Sequence, residues 1–266
     1  MTWWILTYVL LGIGSGFVAG LFGVGGGLTI VPILLMLFQA QDFPTGQLIH
    51  MALGTAMATI VVTSLSSMRA HHQQGGVRWD IFISMTPGLV LGTLVGSLFA
   101  SQVPTDALAI AFTGIVYAAS LQMLLDVKPK PTRELPGSMG LAGVGSIIGG
   151  VSSLVAAGGG FLSVPFMVLC NVSIRQAVGT SAALGFPIAL SGVIGYIVGG
   201  WSEADLPGPH LGFVYLPAFL GVVVSTIFMA PVGARLAHRL PVKQLKRGFG
   251  VMLALLASKM LWNLLA

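Results

Sequence analysis

The chain has 266 residues, of which 55% are hydrophobic and only 7% charged. A soluble domain carries about 25% charged residues, so this chain cannot cover its own surface in water and lipid must be its solvent. The formal net charge of +5 does not point to nucleic acid, because the basic residues sit in short clusters between apolar runs, as cytoplasmic loops do.

The first apolar stretch, residues 3–38, is preceded by no basic n-region, since the first Lys or Arg is Arg69. A cleaved signal peptide is not expected, and the stretch should stay in the mature protein. Trp3, Trp4 and Tyr8 read as interfacial anchors. The stretch is interrupted by Gly23-Val24-Gly25-Gly26-Gly27. Adjacent glycines weaken a helix and permit positive φ, so a break is predicted there. Windows long enough to cross about 30 Å of hydrocarbon follow at 48–68, 79–100 and 105–125. His71 and His72 read as a pair on a solvated face. After a proline-rich linker at 128–137, a second stretch, 139–170, is interrupted by Ala157-Gly158-Gly159-Gly160, and further spans are predicted at 174–198, 211–229 and 245–265. Cys170, the single cysteine, allows no internal disulfide or thiol-rich metal site and reads as a packed small side chain.

The two interrupted stretches match each other. The segment from Gly16 to Pro32 recurs from Gly149 to Pro165 at a constant offset of 133, and three glycines followed by x4-Pro are kept in both. Ala52-Leu-Gly-Thr55 then pairs with Ala177-Val-Gly-Thr180 at an offset of 125, and Gly96 to Pro104 pairs with Gly233 to Pro241. Three pairings in one order indicate an internal duplication, with repeats at 1–127 and 138–266.

Charge decides orientation. If every segment crossed once, Arg69, Arg78, Lys128, Lys130 and Arg133 would fall on one side, and Arg175, Arg235, Arg239, Lys243, Lys246 and Arg247 on the other. That breaks the positive-inside rule. If each glycine-broken segment dips in and returns, all eleven share one face, opposite Asp42, Asp106, Glu203 and Asp205, with only Lys259 near the latter. The expected fold is therefore an all-α polytopic membrane protein of two inverted-topology repeats. Each is a re-entrant helical hairpin (3–38 or 139–170) plus three transmembrane helices. The termini should be periplasmic, and the linker and basic loops cytoplasmic, in the cell inner membrane.

Inverted repeats with broken helices bind substrate where the breaks meet. A half-helix starting at Leu28 or Phe161 offers free N–H groups at a positive dipole end, which suits an anion. Gly25, Gly26, Gly27, Gly158, Gly159 and Gly160 are the candidate tips, whereas Gly12, Gly16, Gly20, Gly92 and Gly96 read as packing positions. Neither cluster continues into a P-loop. Thr55, Thr180 and Ser181, one turn into apolar helices, either bond back to the preceding turn or face the substrate. Arg175 is either a solvated loop residue or an attractor for the anion, and Gln122 either lines the pathway or bonds a neighbouring helix. No Asp or Glu lies mid-span, so a sodium cage or carboxylate relay is not expected. Nor is a metal, a cofactor or an enzymatic site.

The glycine motif Gly20-Leu-Phe-Gly-Val-Gly-Gly-Gly27-x4-Pro32, Ala52-Leu-Gly-Thr55, the second motif through Pro165, Arg175-Gln-Ala-Val-Gly-Thr-Ser181 and Gly233 to Pro241 resemble the TauE/SafE sulfite exporter family over almost the whole chain. Ala157 departs from the first motif's pattern. The resemblance implies a carrier that moves sulfite, sulfoacetate or related organosulfonates outward. Its partners would be a small anionic substrate and the lipid bilayer, and a homodimer is compatible with a carrier of this size. Uptake of such anions, and a non-transport scaffold whose glycines serve only packing, are the alternative readings.

Overall fold

The computed structural model describes residues 2–23, 25–125, 133–203, 206–237 and 242–265. Linker positions 128–132, together with Val24, Asp126, Asp205, Arg239 and Pro241 and the side chains of Lys243 and Lys246, lie outside the described residues. The helices are α1 (Thr2–Phe22), α2 (Gly27–Gln39), α3 (Leu48–Gln73), α4 (Trp79–Ala100), α5 (Thr105–Leu125), α6 (Ser138–Val155), α7 (Gly160–Leu169), α8 (Ile174–Gly199), α9 (Leu216–Ala237) and α10 (Val242–Leu265). Among the described residues, seven of them (α1, α3, α4, α5, α6, α8 and α9) are long and apolar enough to cross a membrane. Their outer faces carry Ile83, Leu91, Phe99, Leu220 and Phe228, each more than half exposed, which only a lipid environment tolerates in such number. The chain is a multi-pass α-helical membrane protein.

Three expectations need correction. The segment 211–229 does not begin as a helix: His210–Leu211 and Val214–Tyr215 form a short antiparallel hairpin, β1 and β2, turned at Gly212 with φ +52°. The apolar run Leu211-Gly-Phe-Val-Tyr-Leu hides the turn, because hydropathy alone does not separate a buried strand from a helix. The helix starts only at Leu216, with Pro217 in its first turn, and continues to Ala237. Tyr8 is not an interfacial anchor, since it is 1% exposed and its hydroxyl accepts from Gln41 Nε2 at 2.7 Å. His71 does not sit on a solvated face either. It is fully buried, and its Nε2 lies 3.1 Å from the Gly20 carbonyl; His72 alone is exposed and accepts from Trp79 Nε1.

The glycine breaks fold each stretch back on itself. The Tyr8–Gln41 bond joins the first part of α1 to the residues just after α2. In the second half, Arg133 N–H donates to the Leu169 carbonyl at 3.2 Å and Asn171 Nδ2 to the Arg133 carbonyl at 3.0 Å, tying the end of α7 to the approach of α6.

Helices then pack across the halves, α1 on α9, α4 on α6, α3 on α8 and α5 on α10. Small residues permit the close approach. A Cβ on Gly16 would lie 2.8 Å from Thr226 Cα, and one on Gly12 or Gly20 would strike the Val222 or Ala230 carbonyl. The other crossing repeats this: a Cβ on Gly145 would lie 2.6 Å from the Met85 carbonyl, and one on Gly149 2.5 Å from that of Leu89. Gly12 and Gly145, like Gly16 and Gly149, are 133 apart, and their partners Met85 and Val222, Leu89 and Thr226 share the 137-residue offset of Gly96 and Gly233. One helix crossing is therefore built twice.

Inserting a methyl at such a crossing should cost about 1–3 kcal/mol. Gly20→Ala and Gly149→Ala should each lower the thermal midpoint of the detergent-solubilised protein. Gly143→Ala, where the added methyl meets open space, should leave it unchanged.

Candidate functional site

The two breaks are built alike. Gly26 (φ +83°) and Gly159 (φ +81°) cap α2 and α7 in the left-handed conformation, which only glycine adopts without strain. The Gly26 carbonyl accepts from the Thr29 and Ile30 amides, and the Gly159 carbonyl from those of Leu162 and Ser163. No side chain caps either helix. The helices begin at Gly27 and Gly160, one residue earlier than the sequence suggests. Pro32 and Pro165 sit inside them and, lacking an N–H, leave the carbonyls four residues back without their helical donor. Ala156 (φ +45°) stands where the first half has Gly23 (φ +67°).

The tips touch. A Cβ on Gly25 would lie 3.0 Å from both Cα and N of Gly158, and one on Gly27 would strike the Ala156 carbonyl. Gly25, Gly26, Gly27, Gly158, Gly159 and Gly160 are all buried. Two uncapped helix N-termini thus face one another inside the protein. Their first amides are donors with no partner in their own helix, and both positive dipole ends point inward.

Thr55 and Thr180 neither bond back to the preceding turn nor line the tips. Thr55 Oγ1 accepts from the Tyr215 amide and Thr180 Oγ1 from the Arg78 amide, both at 2.9 Å and fully buried on the threonine side. The bonds are counterparts, since Thr55 and Thr180 are 125 apart while Arg78 and Tyr215 are 137 apart. The preceding glycines serve the same clasp: a Cβ on Gly54 would lie 2.7 Å from the Phe213 carbonyl, and one on Gly179 would strike that of Gly76. Each half thereby holds the chain segment leading into a helix of the other half. These partners were not legible from the motifs, although the offset of Gly96 and Gly233 does make Arg78 and Tyr215 counterparts. Burial pushes the Tyr215 phenol above its usual range.

Ser181 is at the tips. Its Oγ donates to the Gly23 carbonyl at 3.0 Å and accepts from Ser163 Oγ at 3.0 Å. Ser163 is a site residue that the motif reading passed over. Arg175 is exposed at the start of α8 and makes no ion pair among the described residues. Gln122 is half-buried on α5, which packs on α10, and nothing brings it to the tips. Cys170 is buried, and desolvation raises its thiol pKa.

Charges divide between the two ends of the helices. Gln47 Nε2 bonds Glu203 at 3.1 Å and Asn263 Nδ2 bonds Gln39 at 3.2 Å, at the end that also holds Asp42 and Asp106. Arg69, Arg78 and Arg175 lie at the other end, where the Arg78 amide meets Thr180. Arg78 is paired there with Asp80.

Packed apolar helices around two opposed helix starts define a multi-pass α-helical membrane protein. The chain matches the model of the sulfite exporter TauE/SafE family over residues 8–260, and it belongs to that family. It is 36% identical over 261 residues to a probable membrane transporter protein of Haemophilus influenzae, covering 96% of this chain and 97% of the relative. It is also similar to the probable membrane transporter protein YdhB of Bacillus subtilis (29%, covering 91% and 92%). A third relative is the probable membrane transporter protein MJ0441 of Methanocaldococcus jannaschii (23%, covering 90% and 88%). No solved structure matches the chain.

Replacing Thr55 or Thr180 by Val leaves a buried amide without its acceptor, a loss of about 1–3 kcal/mol each. Both variants should unfold at lower temperature than the wild type. Thr55→Ser and Thr180→Ser, which keep the oxygen, should stay close to it.

Proposed function

We propose that this protein is a secondary carrier that exports small sulfur oxyanions, namely sulfite, sulfoacetate or related organosulfonates, by alternating access across the cell inner membrane. The observation that carries the reading is the contact between two buried, uncapped helix N-termini at Gly25 and Gly158. Irregular backbone inside a membrane protein is kept where it faces a ligand or a water-filled space. Convergent N–H groups at positive dipole ends suit a compact anion with several acceptor oxygens. Glycine lets such an oxyanion approach the backbone with no side chain intervening.

The halves act as inverted repeats. The repeated glycine crossings, the counterpart threonine clasps and the return of each hairpin to its starting end support that arrangement. With the end bearing Arg69, Arg78 and Arg175 in the cytoplasm, the positive-inside rule is met and the acidic end with the first part of α1 is periplasmic. Gly25, Gly26, Gly27, Gly158, Gly159, Gly160 and Ser181 contact the anion, and Arg175 concentrates it at the cytoplasmic mouth. Thr55 and Thr180 brace the moving halves against each other, and Gln122 serves the packing of α5. The carrier works without a cofactor or metal. A homodimer would be a pair of such units, each with its own site.

Proteoliposomes loaded with radiolabelled sulfite should release it with saturable kinetics. Gly25→Val, whose side chain would press on Gly158 from a left-handed position, should lower the thermal midpoint and, at a temperature where the variant stays folded, reduce the rate at least tenfold. Equal flux from Gly25→Val and wild type, or no flux of sulfite, thiosulfate or sulfoacetate from the wild type, would contradict the proposal.

A further inference from the structure

The offsets that relate the two halves allow the spaces on either side of the touching tips to be compared residue by residue. Towards the basic end the walls are the second half of α3, the first half of α8 and α7. Towards the acidic end they are the counterparts: the second half of α8, the first half of α3 and α2.

On α3, Ile60, Ser64, Ser67 and His71 follow one another at intervals of four, three and four and form one stripe. Its position is fixed at three points. Ile60 meets Gly25 and Gly27. A Cβ on Gly185, itself 3.3 Å from the Gly158 carbonyl, would lie 3.4 Å from Ser64 Cβ. His71 Nε2 bonds the Gly20 carbonyl, which only accepts, so that nitrogen carries the proton. The counterpart stripe on α8 is Gly185, Ala189, Gly192 and Tyr196. Tyr196 hydroxyl donates to the Ser153 carbonyl at 2.9 Å, the same bond made by a different group, since Ser153 is the counterpart of Gly20. Ser163 and Ser181, joined in a hydroxyl chain to the Gly23 carbonyl, have Ile30 and Ala56 as counterparts.

At four of these positions the frame therefore carries serine on the basic side of the tips and alanine, glycine or isoleucine on the other. The buried hydroxyls of the acidic-side walls are all engaged, Thr29 with the Gly26 carbonyl, Thr55 with the Tyr215 amide, Thr59 with the Ala56 carbonyl, Ser191 with the Pro187 carbonyl and Tyr196 with the Ser153 carbonyl, and a Cβ on Gly192 would meet the Met57 sulfur. On the basic side one hydroxyl is unsatisfied. Ser67 is 2% exposed, and its Oγ has no hydrogen-bond partner among the described residues. Buried helical hydroxyls usually bond the carbonyl of the preceding turn, as Ser15, Thr63 and Thr113 do here. A buried hydroxyl without a partner costs stability, and its placement in the stripe between the tips and His71 points to a ligand.

We infer that the substrate site lies to one side of the tip contact, among the serine-bearing walls towards the basic end, with Ser67 a hydroxyl that donates to the substrate beside Ser64, Ser163 and Ser181. This rests on the anion-carrier reading and locates its site. Ser64, Ser163 and Ser181 already donate to the Val61 carbonyl, to Ser181 Oγ and to the Gly23 carbonyl, so the donors left for a ligand are the Ser67 hydroxyl and the helix-start amides, a set that suits a compact oxyanion. An anion entering from the basic end meets the unpartnered Ser67 hydroxyl before the tips, whereas the counterparts of Ser64 and Ser67 on the acidic side are Ala189 and Gly192. That asymmetry matches outward transport.

Binding of radiolabelled sulfite to the purified full-length protein tests the inference. Ser67→Ala should keep or raise the thermal midpoint, because it deletes an unsatisfied hydroxyl, and should weaken sulfite binding at least fivefold. Ala189→Gly, at the counterpart of Ser64 in the other stripe, should bind as the wild type does. Wild-type binding of sulfite with Ser67→Ala unchanged would overturn the inference and leave the carrier reading standing. Wild-type failure to bind sulfite, thiosulfate or sulfoacetate would overturn both. A second measurement does not depend on the alanine variant: in a Cys170→Ala background, maleimide labelling of Ser67→Cys should be slowed by sulfoacetate. Labelling at the same rate with and without sulfoacetate would overturn the assignment.

Discussion

The structure depends on how two helix starts survive inside a membrane protein. Breaking a helix exposes several N–H groups at once, and hydrocarbon offers them nothing. In this chain the breaks are not left to lipid, since each tip is buried against the other, Gly25 on Gly158 and Gly27 on Ala156. Such contact requires residues without side chains at the meeting point and left-handed backbone at Gly26 and Gly159. The rest of the fold serves to bring those points together. The glycine crossings of α1 on α9 and α4 on α6 set the helix spacing, and the Thr55 and Thr180 clasps lock each half to the segment entering a helix of the other.

That arrangement explains why so few charges are needed. A compact anion can be held by neutral donors and dipole ends at lower desolvation cost than by a buried cation, which would itself need a partner when the site is empty. Arginines stay at the mouth, where Arg175 is exposed. In the proposed site, backbone amides and the Ser67 hydroxyl hold the anion. Bracing between halves also fits a carrier mechanism, since hydrogen bonds that link two bodies at few points allow them to rock as units.

Much of this was legible in the sequence, because helix formation in lipid follows hydropathy and glycine adjacency closely. The spans Trp79–Ala100 and Thr105–Leu125 fall where the hydropathy windows end, and the helix starts at Gly27 and Gly160 lie within one residue of expectation. What sequence reasoning missed was tertiary. Thr55 and Thr180 looked like site hydroxyls because they follow glycine in a repeated motif, but their repetition reflects a clasp between halves. His71 looked solvated beside Arg69 and His72, yet helical periodicity turns it inward to Gly20. The β-hairpin ahead of α9 was invisible to a hydropathy window, since a buried turn of Leu, Phe, Val and Tyr scores like a helix. Ser163, a variable position of the second glycine motif, and Ser67, outside any motif, stand out only when the two halves are compared position by position.

The central claim is that the two halves move against each other around the touching tips. Spin-label distance measurements in nanodiscs test it most directly. One pair would sit at Gln74 and Ile174 at the basic end, the other at Ala40 and Trp201 at the acidic end. Adding sulfite should shift the two distance distributions in opposite senses, one end closing as the other opens. Distances unchanged at both ends, or moving in the same sense at both, would contradict the account.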